Sequence, residues 1–135
     1  MKPLPESELV ELAAALGSDV PACVLSRPLW MAGRGEHVKR VANLPQIAMV
    51  LVNPGVAVPT APVFGSLNAR TGIGTIAPPP GNIETLWDLV AYLDDAVNDL
   101  EAPACRIAPE IEHVLESLEN EPGCVMAQMS GSGAT

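Results

Sequence analysis

The chain has 135 residues, 48% of them hydrophobic, with two tryptophans, one tyrosine, one phenylalanine and a formal charge of −9. Such a length fits one ordinary domain or pieces of two. The apolar content is too high for a disordered chain, and no apolar run approaches the roughly 18 residues that cross a bilayer. The seven basic residues form no cluster, which argues against nucleic acid held through its phosphates.

The start Met1-Lys2-Pro3-Leu4-Pro5 has no apolar core segment, so no signal peptide is expected. Cys23, Cys105 and Cys124 are odd in number and far apart; they read as reduced, cytosolic and mostly buried, with neither a disulfide nor a zinc role. His37 and His113 stand apart from them, so no side-chain metal cluster is expected.

Leu9, Leu12 and Leu16 recur at helical spacing, with Ser7 as cap, Glu8 and Glu11 in the first turns and Gly17 at the end. This one-sided helix needs a surface to cover its leucines. Ser18-Asp19-Val20-Pro21 and a short apolar stretch to Leu25 follow. Pro28–Ala32 and His37–Val41 read as strands around the turn Gly33-Arg34-Gly35-Glu36. Ala42-Asn43-Leu44-Pro45 reads as a linker. Ile47–Val52 has the continuous aliphatic pattern of a strand buried on both faces, ended by Asn53-Pro54-Gly55.

Thr60 reads as a helix cap ahead of Ala61-Pro62-Val63-Phe64. The glycines and prolines of 70–82 predict a surface loop. Asn82 is expected to cap a helix with Leu86, Leu89, Val90 and Leu93 on one face. A further helix is expected near Asp94, carrying Val97 and Leu100. Another opens with Pro109 at its first position, Ile111, Val114, Leu115 and Leu118 inward and Glu110, Glu112, Glu116 and Glu119 outward. Pro122-Gly123 ends it, and Cys124–Met129 reads as a last strand. The pattern is α+β, with too few strands for a closed sheet and no repeat.

Glycines after a buried strand let a backbone turn its N–H groups towards an anion, and hydroxyls add donors. Ser130-Gly131-Ser132-Gly133 has that composition, although such short glycine loops are more commonly a hairpin turn or loose terminus; no Walker lysine follows it. Asp19 can cap the next helical turn, or act as a general base towards a substrate hydroxyl. Phe64 can pack in a core or offer a stacking platform. Asn98-Asp99-Leu100-Glu101 reads as a polar helix face, and Trp30 and Trp87 as core.

In order, Leu16-Gly17-Ser18-Asp19-Val20-Pro21, Gly33-Arg34-Gly35-Glu36, Val50–Val56 with Pro59–Phe64, Asn98–Glu101 and Met129–Thr135 resemble the 4-diphosphocytidyl-2-C-methyl-D-erythritol kinases, a family of GHMP kinases. The resemblance implies transfer of the ATP γ-phosphate, with Mg2+, to the 2-hydroxyl of a cytidine-diphosphate methylerythritol in non-mevalonate isoprenoid synthesis. It implies Asp19 as the catalytic base, Phe64 stacked on cytosine with Thr60 close by, and Ser130, Gly131, Ser132 and Gly133 against the nucleotide phosphates. It implies a cytoplasmic enzyme without nucleic-acid or membrane partners.

The family's early lysine and its glycine-serine-rich main phosphate loop have no counterpart in this chain, and the family continues beyond the late glycine loop. The implied organisation is therefore the tail of a ribosomal-S5-like N-terminal domain over 1–44, then most of a ferredoxin-like C-terminal domain over 45–135. The chain alone is expected to be inactive. The alternative is a free-standing ferredoxin-like module that binds a small ligand, with Ser130 to Gly133 as its anion loop.

Overall fold

The computed structural model describes residues 3–33, 35, 37–42, 44–67, 77–81 and 83–135. The described residues form a small mixed α/β protein with six helices and one two-stranded sheet. The chain divides into two compact units, Met1–Pro45 with Ala77–Leu89, and Gln46–Ile76 with Val90–Thr135.

In the first unit, α1 (Glu6–Ala14) begins after Pro5 without a side-chain cap, so Ser7 is inside the helix and not its cap. It ends at Ala14, short of Gly17. Ala13 is its one buried residue, while Leu12 and Leu16 are 58% and 80% exposed. The expected uncovered apolar face is present. α2 (Val20–Leu25) turns Pro21 and Leu25 inward, one helical turn apart. Cys23 lies half a turn from both and is exposed; Cys124 is also exposed and Cys105 half-buried, which corrects the expectation of mostly buried thiols. All three cysteines are free.

The hairpin follows the sequence pattern closely. β1 (Leu29–Ala32) pairs antiparallel with β2 (His37–Arg40), Leu29 opposite Arg40 and Ala32 opposite His37. Arg34 and Glu36 of the turn lie outside the described residues, but Gly35 explains why the turn needs glycine. Its φ is +94°, and a Cβ there would lie 2.2 Å from the Ser18 carbonyl oxygen. Backbone therefore packs on backbone where the turn meets the segment leading to Asp19. Glu6 ties α1 to Arg27, between α2 and β1, at 3.2 Å, and to Arg40 of β2. Both pairs are half-exposed, so they orient more than they stabilise.

Asn82, expected as a cap, lies outside the described residues, as do residues 68–76 of the expected loop. The cap of α4 (Leu86–Asp94) is Thr85. Its hydroxyl accepts the Asp88 N–H at 3.1 Å, and Asp88 accepts the Thr85 N–H at 2.8 Å, a reciprocal capping box. Trp87 sits two positions before buried Leu89, about 200° round the helix, and is 66% exposed rather than core. Trp30 is half-buried in β1.

In the second unit, α3 (Thr60–Gly65), α5 (Glu101–Ile107) and α6 (Glu110–Glu119) surround a cluster of Val63, Ala104, Ala108, Ile111, Met129 and Ala134. Each large side chain buried there stabilises by about 1.5–3 kcal/mol. The heptad-like pattern of α6 holds, with Ile111 buried and Glu110, Glu112, Glu116 and Glu119 exposed, although Pro109 precedes the helix as its cap residue.

Three expected elements are absent. Ile47–Val52 and Cys124–Met129 are extended but belong to no sheet, and Val50 and Leu51 are 72% and 75% exposed. A strand needs a ladder partner, and the sheet among the described residues consists of β1 and β2 alone. The helix expected near Asp94 does not form there either: α4 ends at Asp94 and α5 starts at Glu101. Between them Asn98 accepts the Leu100 N–H on its own Oδ1 at 3.1 Å, a side-chain bond that competes with helix.

Two outcomes follow. Gly35→Ala should destabilise the chain by more than about 1 kcal/mol, the usual cost of Ala forced to positive φ. Gly65→Ala, whose Cβ meets nothing within 4 Å, should be neutral or slightly stabilising; equal urea midpoints for the two variants would contradict the packing of Gly35 on Ser18. The Thr85 hydroxyl and then the Thr85 N–H hold the Asp88 carboxyl below its ordinary value. Its share of stability is thus complete above the unfolded carboxyl's pKa and is lost as pH falls through the lowered folded value. NMR titration should give Asp88 a lower midpoint than the free residue, and Thr85→Ala should raise it.

Candidate functional site

Residues 124–129 run extended until Met129 enters the core at 4% exposure, and the chain returns to that core at Ala134. Ser130 to Gly133 therefore form a short excursion pinned at both ends by burial. Ser130 and Gly131 are exposed, and Ser132 and Gly133 half-buried. Within the loop the Ser130 N–H donates to the Thr135 carbonyl at 2.6 Å and the Gly133 N–H to the Ser130 carbonyl at 3.2 Å. The N–H groups of Gly131 and Ser132 take no part in these bonds. Gly131 and Gly133 have φ of +58° and +92°. A Cβ on Gly133 would lie 3.0 Å from the Met129 sulfur and 3.2 Å from Ile111 Cδ1. Glycine is required there by conformation and by space together.

Side chains distant in sequence hold this excursion. Asn98 Nδ2 donates to the Met129 carbonyl at 2.9 Å and to the Gly131 carbonyl at 2.8 Å. Glu101 accepts the Met129 N–H at 3.0 Å. Asn53 closes an Asx turn onto the Gly55 N–H at 2.8 Å and donates to the Thr135 hydroxyl at 2.9 Å. The Thr60 and Ser132 hydroxyls stand 3.3 Å apart.

Thr60 does not cap α3: Pro59 occupies the cap position, and Thr60 begins the helix with its hydroxyl towards Ser132. Val63 is wholly buried, so the next residue round the helix, Phe64, faces out and is 53% exposed. An aromatic ring presented in this way can accept a flat ligand, whereas core packing would have hidden it.

Asp19 belongs to the first unit. It precedes α2 with φ −91° and ψ −13°, and its side chain makes no capping bond. The capping role open to it in the sequence is therefore not taken up. Its carboxylate is exposed.

Thr60 and Ser130–Gly133 are thus brought together within the second unit, with Phe64 on the same helix as Thr60. Asn53, Asn98 and Glu101 were missed as supports of the loop. Asn98 can close an Asx turn onto the N–H two residues on as readily as it can sit on a helix face, and the structure takes the turn. Its longer bonds have no local signature. Burial, then the neighbouring Glu101 and Glu112 carboxylates, push the Cys105 thiol above its ordinary pKa, so it is no activated nucleophile. An open groove of about 380 Å³ lies beside Asp94, Glu119 and the 124–128 segment, and contains none of the expected site residues. Among the described residues no group of three or more His, Cys, Asp or Glu could hold a metal ion, and no helix is long and apolar enough to cross a membrane.

No family model and no solved structure matches the chain. Curated proteins do. A protein of Cereibacter sphaeroides named 4-diphosphocytidyl-2-C-methyl-D-erythritol kinase is 45% identical over 139 residues, covering 99% of this chain and 47% of its own. One of the same name from Rhodospirillum rubrum is 44% identical, covering 98% and 43%. Another from Parvibaculum lavamentivorans is 47% identical, covering 94% and 44%. The chain spans a little under half the length of these relatives. Along almost all of its residues, it is similar to the matching portion of 4-diphosphocytidyl-2-C-methyl-D-erythritol kinases.

Proposed function

We propose that these residues serve an ATP-dependent kinase that phosphorylates the 2-hydroxyl of 4-diphosphocytidyl-2-C-methyl-D-erythritol, a cytoplasmic step of isoprenoid synthesis. The observation that carries this reading is identity of 44–47% to curated kinases of that name over at least 94% of the chain. The site geometry is compatible with it. The Ser130–Gly133 loop offers N–H groups and hydroxyls of the kind that receive phosphate oxygens. Phe64 offers an outward ring for the cytosine.

The roles follow from the chemistry of phosphoryl transfer. The substrate hydroxyl oxygen forms a bond to the γ-phosphorus as the bond to the β–γ bridging oxygen breaks and ADP leaves. The hydroxyl proton passes to the Asp19 carboxylate. Thr60 orients the substrate beside Phe64. Backbone dipoles of Ser130 to Gly133 favour the charge of the transferring phosphates, and Mg2+, as part of the ATP co-substrate, would supply further neutralisation of that charge. Residues 1–44 correspond to the end of a ribosomal-S5-like domain and 45–135 to most of a ferredoxin-like domain. The exposed leucines of α1 and the unpaired segment Ile47–Val52 are faces that a chain of family length would cover.

The test is a chimaera in which these 135 residues replace the matching part of the Rhodospirillum rubrum relative. It should transfer phosphate from ATP to the cytidine substrate, while the 135-residue chain alone should not. Asp19→Asn should lower kcat by about 10²–10⁴-fold with KM little changed, as expected for a lost general base. Phe64→Ala should raise KM for the cytidine substrate and leave that for ATP, since stacking on one base contributes about 1–3 kcal/mol. An inactive wild-type chimaera, or unchanged turnover in Asp19→Asn, would count against the reading.

A further inference from the structure

Resting on that kinase reading, we propose that Asn98, with Glu101 beside it, is a positioning residue that aims the Ser130–Gly133 backbone at the nucleotide phosphates. A single amide nitrogen, Asn98 Nδ2, donates to the carbonyls of Met129 and Gly131, 2.9 Å and 2.8 Å away. In a planar trans peptide the carbonyl and the following N–H point in opposite directions. Drawing the Gly131 carbonyl to Asn98 therefore turns the Ser132 N–H away from Asn98. Drawing in the Met129 carbonyl does the same for the Ser130 N–H, which meets the Thr135 carbonyl at 2.6 Å.

The electrostatic consequence is one-sided. Two carbonyl oxygens, which would repel a phosphate, are gathered on the Asn98 side of the loop. On the opposite side the Ser130 N–H is taken by the Thr135 carbonyl, which leaves the Ser132 N–H as the dipole turned towards an anion. Glu101 fixes the entry by accepting the Met129 N–H at 3.0 Å, and Asn98 Oδ1 is held in turn by the Leu100 N–H at 3.1 Å. The carboxamide thus has its donor and acceptor ends committed in opposite senses. Only an amide supplies both, because a carboxylate of the same shape accepts but cannot donate.

Asn98→Asp is the informative variant, since it keeps the size and the acceptor and sets a negative oxygen against two carbonyls. In the 135-residue chain, hydrogen exchange should quicken by about tenfold at the Ser130 and Gly133 amides and remain unchanged in α6, about 1.4 kcal/mol of local opening. In the chimaera, Asn98→Asp should raise KM for ATP by about tenfold or more while KM for the cytidine substrate stays within about twofold. Asn98→Gln, which retains the amide, should recover part of the ATP effect. A residue that matters only for folding would lower the active fraction and hence apparent kcat, leaving KM for ATP in place; that result overturns the proposal. So does unchanged exchange in the loop. A wild-type chimaera without phosphoryl transfer would count against the kinase reading itself, and the exchange measurement would still decide whether Asn98 fixes the loop.

Discussion

The carboxamide of Asn98 meets three backbone groups, two carbonyls in the Met129–Gly131 turn and one N–H at the start of α5. A turn of alternating serine and glycine has little of its own to define its shape, because glycine has the widest choice of conformations and the largest entropy to lose. Definition comes from outside it. Met129 and Ala134 anchor its two ends in the core. Asn98 and Glu101 fix its entry, and Asn53 holds Thr135, just beyond Ala134, through the threonine hydroxyl. The loop is therefore ordered by segments some thirty and eighty residues away, and its geometry is a property of the whole second unit.

This dependence explains which features could be read from the sequence. The hairpin was legible because its signals are local: two strand-length runs, an apolar one and a polar one, around glycines that can take positive φ. α6 was legible because its periodicity is strong and its outward glutamates mark the solvent side. Ile47–Val52 and Cys124–Met129 were misread as strands because composition reports a tendency to extend, whereas a strand is made by its partner. Trp87 suggests core by its composition alone, but it lies about 200° round α4 from buried Leu89 and is exposed. The Thr-x-x-Asp spacing at Thr85 and Asp88 marks the start of α4 more sharply than Asn82 does.

The candidate site residues rest on a different kind of signal. Asp19, Thr60, Phe64 and Ser130–Gly133 were named from the order of motifs along the chain, not from any single motif. What the sequence could not show was the state of each side chain. Asp19 could have been used up as a cap, and Phe64 could have been buried. Their environments decide otherwise: no capping bond at Asp19, and an outward ring at Phe64. The supports of the loop were invisible for the reason already given, that an asparagine bonding across thirty residues looks locally like any other polar residue.

The contact between Thr60 and Ser132 joins two parts of the proposed site that have separate tasks. Val63 is fully buried in the same cluster as Met129 and Ala134, so the helix that carries Phe64 and the loop proposed for phosphates rest on one packed surface. Close-packed interiors transmit small displacements instead of absorbing them. A displacement of α3 would therefore be felt at Ala134 through Val63, and at Ser132 through the Thr60 hydroxyl, by two routes of different character. The packing route sets where the loop begins and ends. The hydroxyl route bears on the orientation of Ser132, the residue whose N–H the Asn98 clamp turns outward. The helix that carries Phe64 and the Ser130–Gly133 loop are consequently linked within this unit twice, by shared packing at Val63 and by the Thr60–Ser132 contact.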